Sequence, residues 1–193
     1  MSDEVLPPIL KRVRAAGHRV FTNGAYDLNI VGLRSPNRVA NSFDDLITVS
    51  FKNEQGVWQT RYYQATTDPG TYWLENGEKA TAILCPGQYS AYRLDRHGGR
   101  YLALCQRLGP VRVYRDGDKN ALLDMHPDST QEGYFGINIH RASATHLSTQ
   151  VNRFSAGCQV MADPKAFDDF IALCQQQVSL RGWHRFTYTL LEV

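Results

Sequence analysis

The sequence predicts a mostly β protein of the α+β class, built on antiparallel strands with one helix near each terminus. Three observations carry that reading. Short runs alternate apolar with polar residues and are bounded by Gly, Pro, Asn and Asp, the pattern of half-buried strands. Only two segments carry apolar residues at helical spacing, one towards each end. No internal repeat, low-complexity tract or Pro/Ser-rich linker interrupts the 193 residues, so they read as a single domain, 1–193, with residues 1–24 as an N-terminal helical extension.

The elements follow in order. A helix is expected over residues 8–16, with Gly17 as its stop. Strands are expected over 25–33, 46–52 and 57–66, the last two joined by the hairpin turn Asn53-Glu54-Gln55-Gly56. Another covers 80–85 and ends at Pro86-Gly87. His97-Gly98-Gly99 reads as a turn between strands. The runs 102–107, 111–115 and 135–140 read as three further strands, the last ending on His140. Asp163 and Pro164 suit the N-cap and first position of a second helix, with Phe167, Phe170, Ile171, Cys174 and Val178 as its apolar stripe. A strand over 186–191 follows.

Composition narrows the function. Charged residues make up 21% and hydrophobic residues 42%, an ordinary globular balance. A formal charge of +2 is too weak to point to nucleic acid. The N-terminus lacks the basic and apolar regions of a secretory signal, and no stretch approaches the ~20 apolar residues of a membrane span. The chain is therefore expected to be synthesised in a cytoplasm. Cys85, Cys105, Cys158 and Cys174 fit no zinc spacing and are expected as free thiols, a Cys85–Cys105 bridge being the less favoured alternative.

The chemistry concentrates at Ser155-Ala156-Gly157-Cys158, with His140 eighteen residues before the cysteine. A thiol on a Gly-containing turn can present free backbone N–H groups to a reacting carbonyl, and an imidazole from a neighbouring strand can hold that thiol as thiolate, its pKa depressed beside an imidazolium. These are the parts of an acyl-transfer enzyme: nucleophile, base and oxyanion hole.

From Gly136 the sequence reads Gly-Ile-Asn-Ile-His140, then fourteen residues, then Ser155-Ala156-Gly157-Cys158. This resembles the catalytic signature of the L,D-transpeptidase (YkuD-type) family. The stretch from Tyr63 to Tyr72, through Thr67-Asp68-Pro69-Gly70, is similar to that family's strand and Thr-Pro-x-Gly turn. The resemblance covers about residues 45–175 and is strongest over 136–158. It implies an antiparallel sandwich or barrel-like catalytic fold. It also implies Cys158 as nucleophile, His140 as base, the backbone of Ala156, Gly157 and Cys158 as oxyanion hole, and Ser155 as the start of the turn. The sequence departs from the family at Ala156, where a His is usual, at Val160, where an Arg or Asn is usual, and at Arg141 after the base. Gln159, Arg141, Arg153 or Arg112 would then support the turn or the substrate carboxylate.

The resemblance implies chemistry on peptidoglycan stem peptides, with no cofactor. The family forms a thioester by attacking the amide between the L-centre of a diamino acid and the following D-residue. Hydrolysis is preferred here, since the residues around the cysteine have changed, and a wall-degrading enzyme such as a phage endolysin is the expectation. Such a chain, like a delivered effector, would act in the host periplasm. A cross-linking transpeptidase and a non-catalytic wall-binding module are the alternatives; the oligomeric state stays open.

Weaker signals remain. Asp116, Asp118, Asn120 and Asp124 alternate like the start of a calcium loop, but Ala121 and Pro127 stand where its Gly and Glu belong. A solvated acidic turn is the favoured reading, and calcium there would be structural. His126, His140 and His146, with Asp124 and Asp128, are a disfavoured zinc set, with no H-E-x-x-H. Tyr62, Tyr63, Tyr72, Trp73, Tyr89 and Tyr92 suit sheet packing more than a substrate groove.

Overall fold

The computed structural model describes residues 5–193; residues 1–4 of the expected N-terminal extension lie outside the described residues. Strand accounts for 37% and helix for 19%, so the mostly β, α+β expectation stands. Helix α1 (Pro8–Ala15) buries Ile9, Leu10 and Val13 against Val31 and Leu191, and Gly17 ends it at φ +78°. Strands β1 (Asn29–Arg34), β2 (Asp45–Lys52) and β3 (Trp58–Thr66) follow, then a short helix α2 (Thr71–Asn76). Next come β4 (Thr81–Leu84), β5 (Gly87–His97), β6 (Tyr101–Gln106), β7 (Val111–Asp116), β8 (Gln131–Gly133), β9 (Ile139–Arg141) and β10 (Gln159–Met161). Helix α3 (Pro164–Arg181) and β11 (Phe186–Glu192) complete the order.

Eight strands close into a barrel in the order β1-β11-β5-β6-β9-β10-β3-β2, and β4-β7-β8 form a separate three-stranded sheet. The barrel is not wholly antiparallel. β1 pairs in parallel with β11, and β9 in parallel with β10. One core joins the barrel's apolar faces to α3, through Ile30, Ile47, Tyr92, Leu104, Phe167 and Phe170 among others. The start of α3 is as the sequence predicts, with Asp163 Oδ1 accepting from Lys165 N–H at 2.9 Å and Pro164 at the first position.

Several elements differ from expectation for local reasons. Residues 25–28 do not extend β1, because Tyr26 adopts φ +54°. Residues 135–138 run outside regular pairing, which leaves β9 only three residues. β5 was absent from the sequence reading; it contains no Val, Ile or Thr, yet it pairs with both β6 and β11. All four cysteines are free, as expected.

A buried ionic cluster fixes the turn after β3. Arg34 is fully buried, with Nη1 donating to Leu84 C=O at 2.9 Å, Nη2 to Thr67 C=O at 3.0 Å and Nε to Thr67 Oγ1 at 3.0 Å. Its Nε also lies 2.8 Å from Asp68 Oδ1. Asp45 accepts from the Thr67 N–H at 2.6 Å and from the Thr67 hydroxyl at 2.9 Å. Burial pushes the Asp68 carboxyl up to about 7, against the pull of Arg34. The Thr67–Gly70 turn then reaches the cysteine loop: Gly70 N–H donates to Ser155 C=O at 2.9 Å.

Candidate functional site

Cys158 and His140 are brought to neighbouring strands where β9 and β10 pair. The parallel register sets Gln159 beside Ile139 and Val160 beside His140. Cys158 immediately precedes β10 and falls beside Asn138 when the register is carried back, two positions short of His140, a diagonal relation that side chains on adjacent strands can span. Asn138 ties the two together. Its N–H points at Cys158 Sγ (3.4 Å), its C=O accepts from Gln159 N–H (2.9 Å), and its side-chain amide donates to His97 Nδ1 (3.1 Å). His97 in turn stacks on His140, ring centroids 4.1 Å apart.

The His140 ring is buried and held in one tautomer. Nδ1 lies 2.8 Å from Arg141 C=O, which can only accept, so Nδ1 carries the proton and Nε2 the lone pair. The Tyr101 hydroxyl sits 3.3 Å from both Nδ1 and that carbonyl. The third group that orients the base is thus a main-chain carbonyl, which no side-chain pattern reveals. Burial, reinforced by His97, pulls His140 down to about 3.

Cys158 is half-buried. Its thiol donates to Gly136 C=O at 3.3 Å, and burial pushes it up to about 11 despite the Asn138 N–H. Among the described residues no hydrogen bond joins Sγ to the His140 ring. The resting pair is therefore a neutral thiol beside a neutral imidazole, not the thiolate–imidazolium pair that the residue types alone suggest. For His140 to accept its proton, the S–H must leave Gly136.

The turn before Cys158 is tightly built. Ser155 is fully buried; its hydroxyl donates to Cys158 C=O at 2.8 Å and accepts from Gly157 N–H at 3.1 Å. That occupies one expected oxyanion donor, whereas the N–H groups of Ala156 and Cys158 make no hydrogen bond within the described chain. Gly157 sits at φ +115°, and a Cβ there would lie 2.3 Å from Ala82 C=O. The turn is thereby pressed onto β4.

The expected support residues separate. Gln159 is buried, donating to Thr67 C=O and Gly157 C=O at 3.3 Å each and accepting from Tyr188 OH at 2.8 Å, which makes it a core strut rather than a substrate contact. Arg141 lies over the Tyr101 ring at 4.1 Å, beside the base. Arg153 lies over Tyr72 at 4.1 Å, and its C=O accepts from Trp73 Nε1 at 3.0 Å. Arg112, on β7, lines a cavity with Pro86, Gln88 and Glu132 that contains neither Cys158 nor His140.

A cleft of about 290 Å³ adjoins the turn, lined by Trp73, Thr81, Ala82, Arg115, Phe135 and Ala156. Arg115 and Lys79 are the cations of its lining and Glu78 the acid, with the Arg115 guanidinium 4.6 Å above Phe135. A larger cavity of about 570 Å³, lined by Phe21, Trp183 and Arg185 among others, shares no residue with this cleft, and neither of the two is lined by Cys158 or His140. Sequence reasoning missed Asn138, His97, Tyr101 and Arg115. No local pattern marked them; His97, expected in the turn with Gly98 and Gly99, closes β5 instead.

The zinc set does not assemble. His126 pairs with Asp128 at 3.6 Å, His146 bonds Ser143 at 2.9 Å, and His140 stands apart against Arg141. Among the described residues the one group with metal-ligand spacing is Asp116, Asp118 and Asp124. The aromatic set is also dispersed. Tyr63 donates to Asp169 at 2.6 Å, Tyr89 to Cys85 C=O at 2.8 Å, Tyr92 is buried in the core, and only Tyr72 and Trp73 flank the cysteine loop. No helix among the described residues is long and apolar enough to cross a membrane. No family model matches the chain, and neither a curated protein nor a solved structure matches it.

Proposed function

We propose that the chain is a cysteine peptidase of peptidoglycan, cutting the amide between the L-centre of the stem diamino acid and the D-residue that follows. The observation that carries this reading is the placement of Cys158 and His140 at adjacent parallel strands, with the ring's Nδ1–H held by Arg141 C=O. In the reaction, Cys158 Sγ attacks the amide carbon while its proton passes to His140 Nε2. The oxygen charge of the tetrahedral adduct is met by the Cys158 and Ala156 N–H groups. The C–N bond then breaks, His140 returns the proton to the departing amine, and a thioester remains. Water, deprotonated by His140, attacks the thioester carbon, and the released thiolate recovers the proton.

The depressed basicity of His140 and the high affinity of the thiol for its proton favour transfer concerted with attack. The cleft beside Ala156 suits a stem peptide, with Arg115 facing its carboxylate. Wall degradation of the kind a phage endolysin performs is the biological role that fits. Incubation with purified sacculi followed by mass spectrometry of the muropeptides tests the reading. Shortened or separated stems are expected with the wild-type chain, and at least about 10³-fold less product with Cys158→Ala. New cross-linked dimers would replace hydrolysis with transpeptidation. Wall binding without any muropeptide change, insensitive to Cys158→Ala, would replace the enzyme with a binding module.

A further inference from the structure

We propose that Asp116, Asp118 and Asp124 form a calcium site that ties the loop after β7 to the sheet flanking the cysteine turn. One carboxylate oxygen from each lies within 4.8 Å of the other two. Around a calcium ion, oxygens at 2.3–2.6 Å stand up to about 5 Å apart, so the three fit a shared ion; magnesium draws its ligands closer, to about 4 Å at most.

Proximity of acidic groups alone is common on a solvated turn. The buried member distinguishes this one. Asp116 is 2% exposed, and its Oδ2 accepts from Asp124 N–H at 2.9 Å. Its Oδ1 is closed off from solvent and hydrogen-bonded to nothing. A carboxylate oxygen in that state is unfavourable unless protonated or met by a cation. Burial pushes the Asp116 carboxyl up, and the Asp124 and Asp118 carboxylates push the same way, against the hydrogen bond from the Asp124 amide. Among the described residues no arginine, lysine or histidine pairs with any of the three. A divalent cation would meet the orphaned oxygen and relieve the repulsion together.

The sequence departures from a calcium loop do not bear on this geometry. The third carboxylate arrives through the fold: Leu123 N–H donates to Arg38 C=O and Ala40 N–H to Ala121 C=O, which turns Asp124 back towards Asp116. Asn120 orders the turn instead of binding the ion, its Oδ1 accepting from Leu122 N–H at 2.6 Å. Two exposed ligands imply a weak, extracellular type of site, with Kd of about 10⁻⁴–10⁻³ M. The consequence reaches the cleft, because Asp116 pairs with Thr81 on β4, next to the Ala82 carbonyl against which Gly157 rests.

Calorimetric titration of the chelator-treated full chain with calcium chloride, with thermal unfolding alongside, tests the site independently of any activity. The expected result is saturable binding of about one ion and a rise in Tm of about 3–10 °C at about 10 mM calcium. Magnesium should give much less. Asp116→Asn should abolish both signals, and Asp124→Asn, at an exposed position where folding does not depend on the carboxylate, should weaken binding at least about tenfold. No heat and no Tm change in the wild-type chain would overturn the proposal. So would equal shifts in wild type and Asp124→Asn, or an equal response to magnesium.

Discussion

Alkylation of Cys158 reads the resting protonation state directly. With the thiol pushed up to about 11, about one sulfur in 3,000 is thiolate at about pH 7.5, against about one in ten for an ordinary thiol of pKa about 8.5. The difference is about 300-fold. A more basic thiolate is intrinsically the better nucleophile, with a Brønsted slope of about 0.4–0.5, which recovers about tenfold over that gap. Iodoacetamide should therefore label Cys158 about 20–30-fold more slowly than a free thiol. The rate should climb about tenfold per pH unit from about pH 7 to pH 10 without a plateau. Since His140 is neutral at rest, His140→Ala should leave this rate nearly unchanged while abolishing turnover. Peptide mass spectrometry, resolving Cys158 from the three other free thiols, supplies the measurement. A plateau reached by about pH 7 that disappears in His140→Ala would mean a preformed ion pair and refute the reasoning.

Three further outcomes follow from the site and its supports. His140 acts deprotonated and is pulled down to about 3, so kcat/KM should show no fall between about pH 7 and pH 5; a limb centred near the ordinary histidine value of about 6.5 would contradict this. Gly157→Ala adds a Cβ 2.3 Å from Ala82 C=O at a positive φ and should destabilise the fold by about 2–5 kcal/mol, read as a Tm loss of about 5–15 °C; an unchanged Tm would show that the turn is not pressed onto β4. Arg34→Met strands Asp45 and Asp68 in the interior without their cation and should cost about 3–5 kcal/mol in denaturant unfolding, whereas a change below about 1 kcal/mol would deny the cluster its structural weight.

Local chemistry was legible in the sequence, and long-range chemistry was not. The Asn53–Gly56 hairpin, the Asp163-Pro164 start of α3 and the Gly17 stop depend on residues within a few positions of each other. β5 escaped because it is largely polar and has no β-branched residue, so its strand character comes from being clamped between β6 and β11. The parallel pairing of β1 with β11 joins segments from opposite ends of the chain and leaves no local trace. At the site, the types and spacing of Cys158 and His140 were readable because nucleophile and base chemistry restrict the side chain. The groups that hold them were not. Arg141 acts through a carbonyl that every residue has, Asn138 through its position just before β9, and His97 through a stacking contact from β5, two strands away in the barrel. The neutrality of the pair follows from burial, which residue identity does not encode.

The two reactive side chains belong to opposite halves of one seam. β9 hangs on β6 through a single paired position, Leu104 with Ile139, while β10 is anchored to β3 at Val160 and Met161. Alignment of sulfur with ring is consequently governed by how these two halves of the wall meet and by the turn over residues 155–158, and the exposed residues 144–147 of the connection have little say in it. That exposed stretch is free to lengthen, shorten or acquire a recognition element while the reaction geometry is preserved, so substrate choice can drift across it without a matching drift in the chemistry.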